Sequence, residues 1–217
     1  PYTVAKMLSE SDKRDLGCHT GTISDAFLEL YKAGKLTNAR KELDTGRSAW
    51  NLAMGSQALY DWLDAEPDIF HPGDLDYIHS VERISKLSNV ISINGGVQLD
   101  LMGQENAESV GTRQLSGIGG QMDFLEGAYR SKGGKGFICI NSSRVTKDGE
   151  RKSNIVAAIP GGSTISAPRT MIQYVATEYG IAELSGKSLR ERAEAMAAIA
   201  HPDFREELMK YARENFR

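Results

Sequence analysis

Apolar side chains recur every three to four residues in several stretches of the chain, and this spacing places them on one face of a helix. One such face consists of Ile23, Ala26, Phe27, Leu30 and Tyr31. Gly34 is placed to end this helix. The same pattern predicts helices over 2–10, 55–65 and 121–130. The charged, Ala-rich stretches 188–200 and 203–216 lack Gly and Pro and predict two more, with Pro202 at a first-turn position between them.

Short β-branched or alternating runs between these helices predict strands. They lie at 16–20, 90–93, 97–102, 136–140 and 155–159. In the run 97–102, Val97, Leu99 and Leu101 alternate with Gln98, Asp100 and Met102, which is typical of a strand. Asp148-Gly149 is a hairpin signal between the last two runs, although the loop is long for a tight turn. The sequence therefore predicts an α/β fold, an open mixed sheet flanked by helices, in one domain over 1–217.

The composition and charge of the chain argue against several classes of protein. The chain has 217 residues, a formal net charge of −3 and 40% hydrophobic residues, so neither nucleic-acid binding nor disorder is favoured. Two cysteines cannot form a disulfide scaffold and favour a cytoplasmic location. No apolar run approaches the roughly 20 residues of a membrane helix, so we expect no membrane partner. Because Pro1 comes first and no signal peptide follows, we expect a piece of a longer chain.

Segments rich in glycine that lie near carboxylate residues in the sequence are the main candidates for a ligand-binding or catalytic site. Gly117-Ile118-Gly119-Gly120 opens the helix predicted from Gln121, and free N–H groups at such a point favour an oxyanion or phosphate. A turn that needs positive φ is the structural alternative. Gly161-Gly162-Ser163 and the polar strand end 100–105 are weaker candidates of the same kind. Two nucleotide motifs fail, because Met122 and Ile181 stand where glycine is required.

Cysteine and histidine give no clear site. Neighbouring side chains on a strand point to opposite faces, so Cys18 is expected to pack in the core rather than to act with His19 as nucleophile and base. Cys139 is expected to be buried in the same way. The four histidines lack metal-ligand spacing, and we expect no metal site. His71 and His201 each precede proline, which is more typical of a turn than of a ligand.

Five motifs in order carry a family resemblance. They are Leu16-Gly17-Cys18-His19-Thr20-Gly21-Thr22-Ile23-Ser24-Asp25, Leu36-Thr37-Asn38, Asp100-Leu101-Met102-Gly103-Gln104, Gly117-Ile118-Gly119-Gly120-Gln121-Met122-Asp123-Phe124 and His201-Pro202-Asp203-Phe204-Arg205. Together they resemble the C-terminal half of the acetyl-CoA hydrolase/transferase family, which includes 4-hydroxybutyrate and butyrate–acetate CoA-transferases. The resemblance covers nearly the whole chain and implies that the N-terminal half of the family's usual chain is absent.

The resemblance implies a CoA-transferase-like fold and chemistry on a short-chain acyl-CoA thioester. In such transferases a Glu carboxylate attacks the thioester to form a mixed anhydride and release the CoA thiolate. The thiolate then attacks this anhydride and leaves a glutamyl-CoA thioester, which the acceptor carboxylate attacks in turn. The implied partners are acyl-CoA and a carboxylate. Coenzyme A is a substrate here, no tightly bound cofactor is implied, and we expect a homo-oligomer.

Carried over residue by residue, the resemblance assigns the CoA thioester to Gly117, Gly119, Gly120 and Gln121. It assigns the substrate pocket to four residues, which are His19, Gly21, Asn94 and Gln104. The family's nucleophilic Glu normally follows the His-Thr pair, but here Gly21 does so and has no side chain to form an anhydride.

Three readings of this departure stay open. In the first, another carboxylate substitutes, and Glu105 and Glu108 are the catalytic candidates. In the second, the space at Gly21 admits water for thioester hydrolysis, or enlarges the acyl pocket for direct attack by the acceptor. In the third, the domain binds CoA esters or assembles subunits without catalysis.

Overall fold

The computed structural model describes residues 2–216, which form two compact units. Unit 1 comprises the chain up to Val90 together with Arg130–Gly134, and unit 2 comprises Ile91–Tyr129 together with the chain from Lys135 onward. Over residues 2–216, no helix combines the length and the apolar character that crossing a bilayer requires. The single domain expected over 1–217 stays a prediction.

Unit 1 is organised around a three-stranded parallel sheet of order β1-β2-β3. Its elements are α1 (Tyr2–Glu10), β1 (His19–Ile23), α2 (Asp25–Lys32), β2 (Ser48–Ala53), α3 (Gln57–Ala65), β3 (Phe70–Pro72), α4 (Leu75–Ile78) and α5 (Val81–Lys86). The apolar faces of α2 and α3 form a core with Ile23, Trp62 and Phe70. Helix α2 begins later than its periodicity predicts, because Ile23 ends β1, and it stops before Gly34, whose φ is +67°.

Two buried polar side chains fix the start of β1. Asn38 accepts a hydrogen bond from the backbone N–H of Cys18 at 2.8 Å and donates to the Ser48 hydroxyl at 2.9 Å. Lys41 donates to the carbonyl oxygens of Cys18 and Arg47 at 2.8 and 2.7 Å. These contacts satisfy the main chain on the edge strand and hold it in register with β2.

Unit 2 contains a four-stranded mixed sheet of order β14-β13-β9-β4, in which β4, β9 and β13 are parallel and β14 is antiparallel. Its strands are β4 (Ile91–Gly95), β5 (Gln98–Asp100), β6 (Glu105–Asn106), β7 (Ser109–Val110), β8 (Arg113–Gln114), β9 (Lys135–Cys139), β10 (Ser143–Val145), β11 (Arg151–Ser153), β12 (Ile155–Val156), β13 (Tyr174–Thr177) and β14 (Gly180–Glu183). Its helices are α6 (Gln121–Arg130), α7 (Leu189–Ala198) and α8 (Pro202–Asn215). A smaller sheet has the order β12-β5-β6. The predicted mixed α/β fold is confirmed.

Two contacts relate helix α6 to the strands of the main sheet. Leu125, in the middle of α6, lies against Gly136 near the start of β9. Gln121, the first residue of α6, hydrogen-bonds Glu105, whose carboxyl group lies against Gly96, just after the end of β4. Binding sites in α/β proteins form at the carboxyl ends of the strands.

The structure corrects two expectations about individual strands and adds one detail. The hairpin around Asp148-Gly149 exists, but it joins β10 to β11, and β12 pairs with β5 instead. Cys139 is exposed rather than buried, because Ile138 takes the inward position at the end of β9. Gln98 and Asp100 are buried although they alternate with apolar residues, because β5 is the middle strand of the smaller sheet.

Candidate functional site

The glycine loop, residues 117–120, presents bare main chain at the start of α6. Gly117, Ile118 and Gly119 are exposed, and within the described chain their amide N–H groups donate no backbone hydrogen bond. A Cβ added at Gly117 or Gly119 would meet nothing within 4 Å, so the space in front of the loop is open. Gly119 has a φ of +59°. Exposed amide N–H groups just before a helix start form an anion-binding arrangement.

Glu105 is fully buried beside this loop. Its Oε2 accepts a hydrogen bond from Nε2 of Gln121, and its Oε1 has no hydrogen-bond partner among the described residues. A Cβ at Gly96 would lie 2.5 Å from Oε1, so the absence of a side chain at Gly96 makes room for the carboxyl group. Burial raises the pKa of Glu105 to about 7, against the opposing effect of the Gln121 hydrogen bond.

The backbone of Glu105 is held on both sides, which fixes the origin of its side chain. Its N–H donates to the carbonyl oxygen of Ala167 at 3.0 Å, and its own carbonyl accepts from the N–H of Ser166 at 2.8 Å. Leu99 of β5 pairs with Glu105 across the smaller sheet. The carboxyl group is therefore rigidly placed between Gly96 and Gln121.

Glu108 is also buried, but its contacts are those of a structural carboxylate. Its Oε2 accepts from the Ser166 hydroxyl at 2.6 Å and its Oε1 from the Gln114 amide at 3.2 Å. Its backbone carbonyl accepts from the N–H of Leu115 at 2.7 Å. Since both carboxylate oxygens are occupied, the geometry favours Glu105 over Glu108 as a reactive group.

The second glycine loop, residues 161–163, packs near the segment that leads into the first. A Cβ at Gly162, whose φ is +85°, would lie 2.8 Å from the Thr112 side chain. The N–H of Thr164 donates to the Ser109 hydroxyl at 3.0 Å, and the buried Ser163 hydroxyl has no partner in the described chain. This loop therefore packs against residues 109–114 and supports them. The close approach to Thr112 explains why residue 162 is a glycine.

The polar strand end at 100–104 is a closed turn rather than an open site. Asp100 accepts hydrogen bonds from the backbone of Met102 and Gln104 and from the Gln104 amide, at 2.7–3.0 Å. Arg192 donates to the carbonyl oxygen of Met102 and of two other residues, at 2.7–2.8 Å. Asn94, expected in the substrate pocket, donates to the Ser92 hydroxyl of its own strand at 2.8 Å. The Gln104 side chain is thus held by Asp100.

His19 and Gly21 belong to unit 1, whereas the other eight candidate residues belong to unit 2. His19 Nε2 lies 2.8 Å from the carbonyl oxygen of Ile78, and burial lowers the pKa of its imidazole. Cys18 is 1% exposed, and burial raises the pKa of its thiol to about 12. The prediction that Cys18 packs in the core is confirmed, and an activated thiol at this position is excluded.

Sequence reasoning missed one polar cluster in unit 1. His71, set aside as a turn marker, lies in edge strand β3, and its Nδ1 is 2.7 Å from Oδ1 of Asp44. The Tyr77 hydroxyl donates to the same oxygen at 2.9 Å. These hydrogen bonds outweigh burial and lower the pKa of Asp44. His201, also set aside, accepts a hydrogen bond from the N–H of Asp203 and caps α8.

Gly96 was also missed, and its role depends on contacts between segments that lie apart in sequence. The pair Gly95-Gly96 directly after a β-branched strand was the available signal. Within the described residues, no three His, Cys, Asp or Glu side chains are arranged to hold a metal ion. The structure thus brings Glu105, Gln121 and the glycine loop together.

Comparison with known proteins shows which family has a similar sequence. The model of the acetyl-CoA hydrolase/transferase C-terminal domain matches residues 55–212. The chain is 45% identical over 212 residues to butyryl-CoA:acetate CoA-transferase of Anaerostipes caccae, covering 98% of this chain and 47% of that protein. It is 30% identical over 211 residues to an acetyl-CoA hydrolase of Kluyveromyces lactis, covering 96% and 38%.

Solved structures of CoA-transferases are also similar to this chain. A 4-hydroxybutyrate CoA-transferase from Porphyromonas gingivalis superposes with a TM-score of 0.83 at 36% identity, covering all of this chain and 49% of that one. The chain spans about half the length of the relatives it matches.

Proposed function

The chain belongs to the acetyl-CoA hydrolase/transferase family, and from this premise we propose that its protein transfers CoA between a short-chain acyl-CoA thioester and a carboxylate acceptor. The glycine loop, with Gln121, would receive the thioester. The observation that carries this proposal is the set of exposed amides at 117–119, which donate no backbone hydrogen bond within the described chain, next to the buried carboxyl group of Glu105.

The physical basis is stabilisation of the thioester oxygen. Attack on a thioester carbonyl moves negative charge onto its oxygen, and preorganised N–H donors at a helix start stabilise that charge. Gly117 and Gly119 leave the approach to these donors open. His19, Gly21, Asn94 and Gln104 stay proposed pocket residues.

Gly21 raises the question of which carboxylate forms the anhydride. Position 21 lies in edge strand β1 and has no side chain to react. Of the proposed substitutes, Glu105 has a carboxylate oxygen without a partner, whereas both oxygens of Glu108 are bonded. We therefore place Glu105 before Glu108.

Hydrolysis of acyl-CoA is the second candidate function. It is favoured by Gly21, because a site without a covalent nucleophile leaves water or the acceptor to attack directly. Similarity to the acetyl-CoA hydrolase of Kluyveromyces lactis supports the same candidate. A CoA-ester-binding module without catalysis is the remaining proposal.

A thiol-release assay on the full-length protein separates these candidates. CoA exchange that requires added acetate indicates a transferase, acceptor-independent release indicates a hydrolase, and binding with neither indicates a module. Borohydride inactivation in the presence of acyl-CoA tests for a glutamyl-CoA thioester, and peptide mapping then identifies the modified residue. Labelling at neither Glu105 nor Glu108 would remove both from the proposal.

Gly21→Glu is the complementary variant. A gain of acceptor-dependent exchange in this variant supports a site that lacks its nucleophile. The expected homo-oligomer and cytoplasmic location stay part of the proposal, and sedimentation and cell fractionation test them.

A further inference from the structure

The proposed function does not explain why the carboxyl group of Glu105 is buried without a cation beside it. Burying a carboxylate without a cation is costly, and an unpaired buried polar atom is rare in a folded protein. Within the part of the chain that the structure describes, Oε1 has no partner, and the side-chain partner of Oε2 is the amide of Gln121. A neutral carboxylic acid fits this environment far better than a carboxylate does.

The groups around Glu105 contribute no positive charge. Gly96, the neighbouring Ile140 and the peptide groups of Ser166 and Ala167 carry no titratable side chain. On α6 the acid of the first turn is Asp123. On β5 the Asp100 carboxylate is occupied by its own turn. Burial, and not a neighbouring charge, therefore disfavours the ionised form of Glu105.

The connection to the loop runs through Gln121. This residue begins α6 directly after Gly120, so its side-chain hydrogen bond to Glu105 ties the glycine loop to the buried acid. We propose that, while the CoA thioester binds, Glu105 is a neutral acid that positions Gln121 and the loop, and that it loses its proton only if it then attacks the bound thioester as the nucleophile. The inference rests on the proposed function, since it takes the loop as the thioester site.

Ionisation of Glu105 acts against binding for an electrostatic reason. A negative charge at the helix start competes for the same amides that receive the thioester oxygen or an oxyanion. It also repels the charge that develops during attack. Binding is therefore expected to favour the protonated form, and by linkage bound ligand raises the proton affinity of Glu105.

The test compares CoA and acetyl-CoA affinity at pH 6 and pH 8 in the full-length protein and its variants. One group with a pKa of about 7 whose proton is kept on binding weakens the apparent affinity about tenfold over this range. Glu105→Gln mimics the neutral acid, so its affinity should lack this tenfold change. Exposed Glu207→Gln, on α8, is the matched control and keeps the wild-type dependence. Titration of the CoA phosphates and thiol is common to all variants and cancels.

The outcomes separate the two proposals. Equal pH dependence in wild type and Glu105→Gln overturns the positioning role, even when the loop binds CoA. Unchanged affinity in Gly117→Val, which adds bulk in open space at an ordinary φ, overturns the loop site and the positioning role with it. If Glu105→Gln does not fold, a pH titration of the wild-type protein followed by carboxyl ¹³C shifts, with and without CoA, tests the inference instead. CoA should raise the pKa of Glu105, and a pKa that CoA does not change contradicts the inference.

Discussion

Glu105→Gln should change how stability depends on pH. The pKa of Glu105 is raised from 4.5 to about 7 by burial, so the folded chain holds a proton that the unfolded chain releases. Its contribution to stability is therefore fully present below pH 4.5 and is lost as the pH rises to about 7. At roughly 1.4 kcal/mol per pKa unit, the loss is about 3 kcal/mol.

Urea unfolding of wild type and Glu105→Gln at pH 5 and pH 8 measures this loss. A constant packing difference between Glu and Gln cancels when the two pH values are compared. His19, whose pKa is lowered by burial, adds stability as the pH rises, but it does so equally in both proteins. We expect the variant to gain about 2–3 kcal/mol relative to wild type between pH 5 and pH 8. A difference that stays the same at both pH values would refute the buried neutral acid.

Three further predictions concern groups outside the glycine loop. Arg192→Met leaves three backbone carbonyl oxygens without their donor and should lower the free energy of unfolding by about 3–5 kcal/mol, measured with urea; a loss under about 1 kcal/mol contradicts the contacts described. Alkylation followed by peptide mapping should label exposed Cys139 in the native protein and Cys18 only after unfolding, and early labelling of Cys18 would disprove its burial. The pKa of Asp44 is lowered, so its contribution to stability should be lost as the pH falls through that pKa, and Asp44→Asn should abolish this acid-sensitive part.

Sequence periodicity predicted the longer helices well because each has one apolar face and clear ends, whereas the short helices α4 and α5 were not predicted. The predicted 121–130 helix has the bounds of α6, and Pro202 begins α8. Short strands were harder. Strands β13 and β14 have four residues each and were not predicted, since runs of this length carry little periodic signal.

The candidate site was only partly visible in the sequence. The loop 117–120 stood out because several glycines precede one helix, and the structure shows its open face. Glu105 was nominated by its place after a strand, but its burial, its unpaired oxygen and its neighbour Gly96 depend on packing between distant segments. Cys139 was misjudged because an apolar run does not reveal which of two adjacent residues faces inward.

A crystal structure of the full-length protein with an acyl-CoA analogue that has a methylene group in place of the thioester sulfur tests the central claim most directly. The account predicts the carbonyl oxygen of the analogue within about 3 Å of amide nitrogens of residues 117–121. An analogue bound elsewhere, with those amides closed off by protein groups, would contradict it.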